Sequence, residues 1–126
     1  MQLSGKQFAV LLFFTMFVYS GIMKIVNFQK KVYVLGKKTM LPKIINIFGM
    51  IGVIILEILG SLVLVFDALY ENIIPENLIK FIYLLYLAFL IVVTLLYHPP
   101  SSHMIPFLSN VTTFGGMLYI FYDTFN

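Results

Sequence analysis

Two charged side chains set inside apolar stretches, Glu57 and Lys24, are the residues of this chain most able to do chemistry. Glu57 sits alone in residues 41–67, LPKIINIFGMIGVIILEILGSLVLVFD, a run of roughly 20 or more apolar residues, enough to cross a ~30 Å hydrocarbon core. A carboxylate at such depth is costly, so it must face protein or a water-filled cavity. Desolvation favours its protonated form if no cation is near. It then either donates a hydrogen bond as glue between helices, or handles a proton or anchors a ligand. Lys24 stands about one turn from the end of the first apolar run. Its two readings are a stem that snorkels to the headgroups and a fixed cation in a polar pocket. Tyr86, Asn46 and Asn110 are the other polar groups able to contact a ligand or one another within the membrane.

Helix geometry assigns these groups to levels. At ~100° per residue, Asn46, Gly49, Glu57 and Gly60 share roughly a quarter-turn of one helix, with Gly52 and Ser61 at its flanks. That small, polar side is expected to pack against a neighbour. Counting ~1.5 Å per residue from a shared entry plane puts Glu57 beyond the midplane with Thr15, Tyr86 and Tyr119. The same count leaves Lys24 near the opposite boundary with Asn46, Asn110 and Thr94. Two separate polar layers are therefore expected, with Lys24 and Glu57 ~10–15 Å apart in depth and no ion pair assumed between them.

The elements that position these residues follow from hydropathy. Of 126 residues, 61% are hydrophobic and 10% charged, and the mean hydropathy is +1.02, which excludes an ordinary soluble domain. Four apolar runs predict an all-α polytopic membrane protein. Its transmembrane helices span about residues 7–26, 43–66, 78–97 and 107–125, as one antiparallel up-down bundle. The first run is too long for a signal sequence and has no small-residue cleavage site. Gly115 and Gly116 on the fourth helix, like Gly49, Gly52 and Gly60 on the second, are the small residues expected to admit close helix packing. Tyr83 and Tyr97 are read as interfacial aromatics. Asn110-Val-Thr112 matches a glycosylation sequon but falls inside the fourth helix, where a chance match is expected.

Charge sets orientation. The eight basic residues are all lysines, and five of them (Lys30, Lys31, Lys37, Lys38 and Lys43) fall in residues 27–43, whereas the next connection is acidic. The positive-inside rule puts the lysine-rich segment in the cytoplasm and both termini on the other side. Val32 to Leu35 are apolar, so part of that segment is expected to lie on the membrane as a short amphipathic element. A net charge of +3 distributed this way points to lipid headgroups and topology, not nucleic acid. There is no cysteine, which excludes thiol chemistry by this chain. His98 and His103 lack an accompanying acid or cysteine at ligand spacing, so no metal site is expected.

Four stretches, in order, resemble the DoxX-like family of small four-helix membrane proteins. Tyr19-Ser-Gly21-Ile-Met-Lys24 is similar to its Gly-x-x-Lys end of helix one. Residues 36–42 resemble its loop leading to a proline, and Glu57-Ile-Leu-Gly60-Ser61 its Glu-x-x-Gly-Gly segment, with serine for the second glycine. Pro106-Phe-Leu-Ser-Asn110 through Gly115-Gly116 resembles its helix-four pattern, with Ser109 where lysine is common. The resemblance implies the fold first. It also implies two functional classes: membrane oxidoreductase systems, including thiosulfate–quinone chemistry, and assembly or cargo factors. No haem, flavin or iron–sulfur motif is evident, so an electron carrier would come from a partner or a bound quinone. The leading expectation is a non-catalytic assembly, scaffold or structural component that meets membrane lipid and other membrane proteins or further copies of itself. The alternative is an oxidoreductase subunit binding a quinone-like or lipid-like molecule through Glu57, Tyr86 and Lys24. Proton or solute transport ranks third. Lysine without arginine fits an AT-rich genome, as in many bacteria or a large DNA virus with an internal membrane.

Overall fold

A computed structural model describes residues 4–70, 73–97 and 104–125 and is all-helical over them. Five helices follow in order: α1, Gly5–Val26; α2, Phe28–Thr39; α3, Lys43–Leu69; α4, Glu76–Tyr97; and α5, Met104–Phe125. All but α2 are long and apolar enough to cross a membrane. The chain is thus a multi-pass helical membrane protein, with spans within a few residues of those expected. His98 and His103 lie outside the described residues.

The chain divides into two compact units, Met1–Ile79 and Lys80–Asn126. In the first, Ser4 and Gln7 open α1 with a reciprocal capping box: Gln7 N–H donates to Ser4 Oγ (3.1 Å), and Ser4 N–H donates to Gln7 Oε1 (2.9 Å). The same Gln7 amide donates from Nε2 to the Ala68 carbonyl at the far end of α3 (3.1 Å). Since the start of α1 meets the end of α3, these two helices run antiparallel. Phe8, Leu12, Met16, Tyr19 and Ile22 form an exposed stripe along α1, as do Phe48, Ile51, Ile55, Leu59 and Leu62 along α3. Val10, Phe14 and Phe17 of α1 and Met50 and Leu64 of α3 are buried. Large apolar side chains facing outward at helical spacing are what a lipid solvent selects.

The lysine-rich segment is more ordered than a loop with a short surface element. It forms the 12-residue helix α2, whose Val32 is buried. Asn46 fixes the turn that follows. Its Nδ2 donates to the carbonyls of Leu41 (2.9 Å) and Pro42 (3.3 Å), and its Oδ1 accepts from Thr39 Oγ1 (2.7 Å). Met40 closes α2 in the left-handed conformation (φ 58°), donating its N–H to the Gly36 carbonyl (2.9 Å).

In α3, residues Leu56–Gly60 form one π-helical turn. Such a turn accommodates an extra residue and redirects the face that follows. Glu57, Gly60 and Ser61 are all buried around it. Gly21 of α1 packs here: a Cβ at Gly21 would lie 2.6 Å from Ile58 Cγ1 and 3.3 Å from Glu57 Cβ. Gly49 and Gly52 differ from expectation, because no described atom lies within 4 Å of the Cβ that either lacks. Both are exposed. Gly115 is open in the same sense.

In the second unit, Tyr83 corrects its interfacial assignment. It is 2% exposed, and its ring lies 5.8 Å from Phe121 and 6.3 Å from Phe125 of α5, the latter edge-on. Lys80 Nζ stands 5.1 Å from the Phe125 ring centre. The start of α4 therefore meets the end of α5. Asn110 and Thr112 lie within α5.

Close approach at Gly21 gives a direct expectation. Gly21→Ala should destabilise the protein by about 1–3 kcal/mol, because Ile58 must move. Gly49→Ala should be neutral or stabilising by up to about 1 kcal/mol through helix propensity. Thermal unfolding of the two variants in detergent ranks them, and equal effects would contradict the α1–α3 contact.

Candidate functional site

The site is where α1 crosses the π turn of α3. Lys24 Nζ lies 2.7 Å from Glu57 Oε1 and donates to Ser20 Oγ one turn back on its own helix (2.6 Å). The Glu57 side chain is 4% exposed and that of Lys24 is 20% exposed. Lys24 approaches Glu57 Oε1 off the line of a directed hydrogen bond, so this contact is chiefly charge on charge. Ser61, one turn beyond Glu57, is fully buried.

This ion pair overturns the expected separation into two polar layers, and two physical reasons account for it. First, α1 and α3 are offset along their lengths. Helix α2 packs along the first half of α3, Lys43–Ile55, while α1 meets mainly the π turn and the residues after it. The end of α1 thus falls opposite the middle of α3, and Gly21 is level with Glu57 and Ile58. Second, side chains lean toward the N-terminus of their own helix. Because α1 and α3 are antiparallel, Lys24 leans toward the level of Gly21 while Glu57 leans the opposite way. The two heads converge.

The other expected members of these layers lie elsewhere. Asn46 is buried, but its amide is engaged in the α2–α3 turn. Thr15 is on the exposed side of α1, with its hydroxyl bonded to the Leu11 carbonyl (2.7 Å). Tyr119 is largely exposed. Thr94 is buried and donates to the Leu90 carbonyl of its own helix. Tyr86 is fully buried on α4, its ring edge-on to Phe89 at 6.5 Å, and Asn110 is half-buried on α5. Gly60 is buried beside Ser61, and Gly116 is half-buried.

Sequence reasoning passed over Ser20 as a partner for Lys24 and Gln7 as the tie between the ends of α1 and α3. Both had a legible signal: an i, i+4 Ser–Lys pair and a Ser-x-x-Gln helix start.

Chemically, the arrangement confines opposite charges where the dielectric is low and attraction is strong. Among the described residues, no group of three or more His, Asp or Glu gathers as metal ligands would. No protein-family profile, curated protein or solved structure matches this chain.

A double-mutant cycle measures the pair. Lys24→Met and Glu57→Gln should each destabilise by about 2–3 kcal/mol, below the ~3–5 of a fully buried pair because Lys24 is partly exposed. The double variant should lose at least about 1 kcal/mol less than the sum. Additive losses in detergent unfolding would show the two residues to be energetically independent.

Proposed function

We propose that this chain is a non-catalytic membrane component of the DoxX-like kind, acting in the assembly or scaffolding of other membrane proteins or of its own copies. One observation carries this reading: the intramembrane carboxylate is engaged by a lysine of the neighbouring helix. The charges therefore serve to hold α1 on α3. Two of the four stretches that resemble the family, Gly21-Ile-Met-Lys24 and Glu57-Ile-Leu-Gly60-Ser61, meet at this crossing. In the proposed topology four spans form an up-down-up-down bundle, the lysine-rich end lies in the cytoplasm and both termini lie across the membrane. A bacterial membrane and an internal virion membrane both suit that topology. The outward apolar stripes of α1 and α3 offer surfaces for lipid or for a partner helix.

A second reading has its own support. A π turn inside a helix is a frequent mark of functional sites, and this one carries Glu57. Lys24 keeps part of its surface open, and an ammonium has three donors, one of which goes to Ser20. A quinone-like or lipid-like carbonyl could accept another, making the chain a binding subunit of an oxidoreductase system, with Tyr86 as a further contact.

Native mass spectrometry of the protein released from mild detergent separates the two. Scaffolding predicts the bare chain, its multimers or its complex with another protein, and full retention of those assemblies by a folded Glu57→Gln variant. A stoichiometric small molecule lost from folded Lys24→Met and Glu57→Gln variants would instead establish the second reading.

A further inference from the structure

Where α2 turns back on α3, the helices enclose a groove of about 620 Å3, within the ~300–1,000 Å3 usual for ligand pockets. Its apolar lining includes Phe28, Val32, Tyr33 and Ile47, and its cations are Lys37 and Lys43. No acidic residue lines it. Lys37 Nζ is held 4.7 Å from the centre of the Tyr33 ring, which fixes an ammonium at the rim. Gly36 forms part of the wall, and the Asn46 amide that ties the turn lies beside it. The groove is therefore built by the turn and not by a chance gap between side chains.

We propose that this groove binds one phospholipid of net negative charge, with acyl chain against Phe28, Val32 and Ile47 and headgroup phosphate between Lys37 and Lys43. Charge complementarity selects the occupant. Two lysines beside an apolar wall match an amphiphile with an anionic head, and one wall belongs to the span α3 and the other to α2 packed against it. Inorganic phosphate would leave the apolar wall uncovered. A zwitterionic lipid would bring its own cation against the lysines. The lysines thus acquire a site-specific role beyond orientation, one that stands independently of the scaffolding proposal and of the Lys24–Glu57 pair.

The test uses the full chain in vesicles of equal parts phosphatidylglycerol and phosphatidylcholine, followed by native mass spectrometry of retained lipid. One phosphatidylglycerol should be retained in preference to phosphatidylcholine. Near an anionic surface each lysine is worth about fivefold, so Lys37→Gln/Lys43→Gln should lower retention at least about tenfold. Lys31→Gln/Lys38→Gln removes equal charge from the side of α2 turned away from Val32 and Gly36, and should change it less than about twofold. Equal losses in both double variants, or none in the first, would overturn the proposal. So would displacement of the lipid by inorganic phosphate. Should the first variant misfold, phosphatidylglycerol with a photoreactive acyl chain decides the matter on the unaltered protein. Crosslinks at Phe28, Val32 or Ile47 support the site, and crosslinks confined to other helices refute it. Lipid loss that tracks Lys24 or Glu57 bears on the scaffolding proposal, whereas loss that tracks Lys37 and Lys43 bears on the groove alone.

Discussion

A charge inside a hydrocarbon layer must find a counter-charge, and in this protein Lys24 supplies it to Glu57. Much of the first unit is arranged so that this contact can form. Gly21 removes the side chain that would hold α1 away from Ile58 and Glu57. The π turn at Leu56–Gly60 brings Glu57, Gly60 and Ser61 to one buried surface. Ser20 engages the ammonium from the same helix. At the other end, Gln7 joins the start of α1 to the last turn of α3, so the helix pair is tied at two levels.

The corner of α2 and α3 makes this register work. Because Asn46, Thr39 and the left-handed Met40 turn the chain sharply, α2 lies along the first half of α3. That leaves the second half to α1. A chain that entered the membrane directly after α1 would place Lys24 beside Asn46, as simple depth counting expects. The offset from that count is about two to three turns.

The spans were legible because apolar runs of this length have few other uses, and their ends fell close to where charges and prolines put them. The importance of Glu57 and Lys24 was legible from cost alone. Their pairing was not, because a helical wheel carries angle but no relative depth, and relative depth depended on whether residues 28–39 fold. The burial of Tyr83 among Phe121 and Phe125 was hidden for a similar reason. A tyrosine near a span end has the same sequence signature whether it faces headgroups or another helix. Glycine was equally ambiguous: Gly21 meets a neighbour and Gly49 does not, though both lie in apolar helices.

The most direct test of the ion pair is a solid-state NMR distance measurement in bilayers, with 15N-labelled lysine side chains and 13C-labelled glutamate carboxyls. Contact between Lys24 Nζ and Glu57 Oε1 at 2.7 Å predicts a strong component of nitrogen–carbon dephasing that disappears in a Lys24→Met variant. Dephasing unchanged by that substitution, or none in the unaltered protein, would contradict the packing of α1 on α3 through this pair.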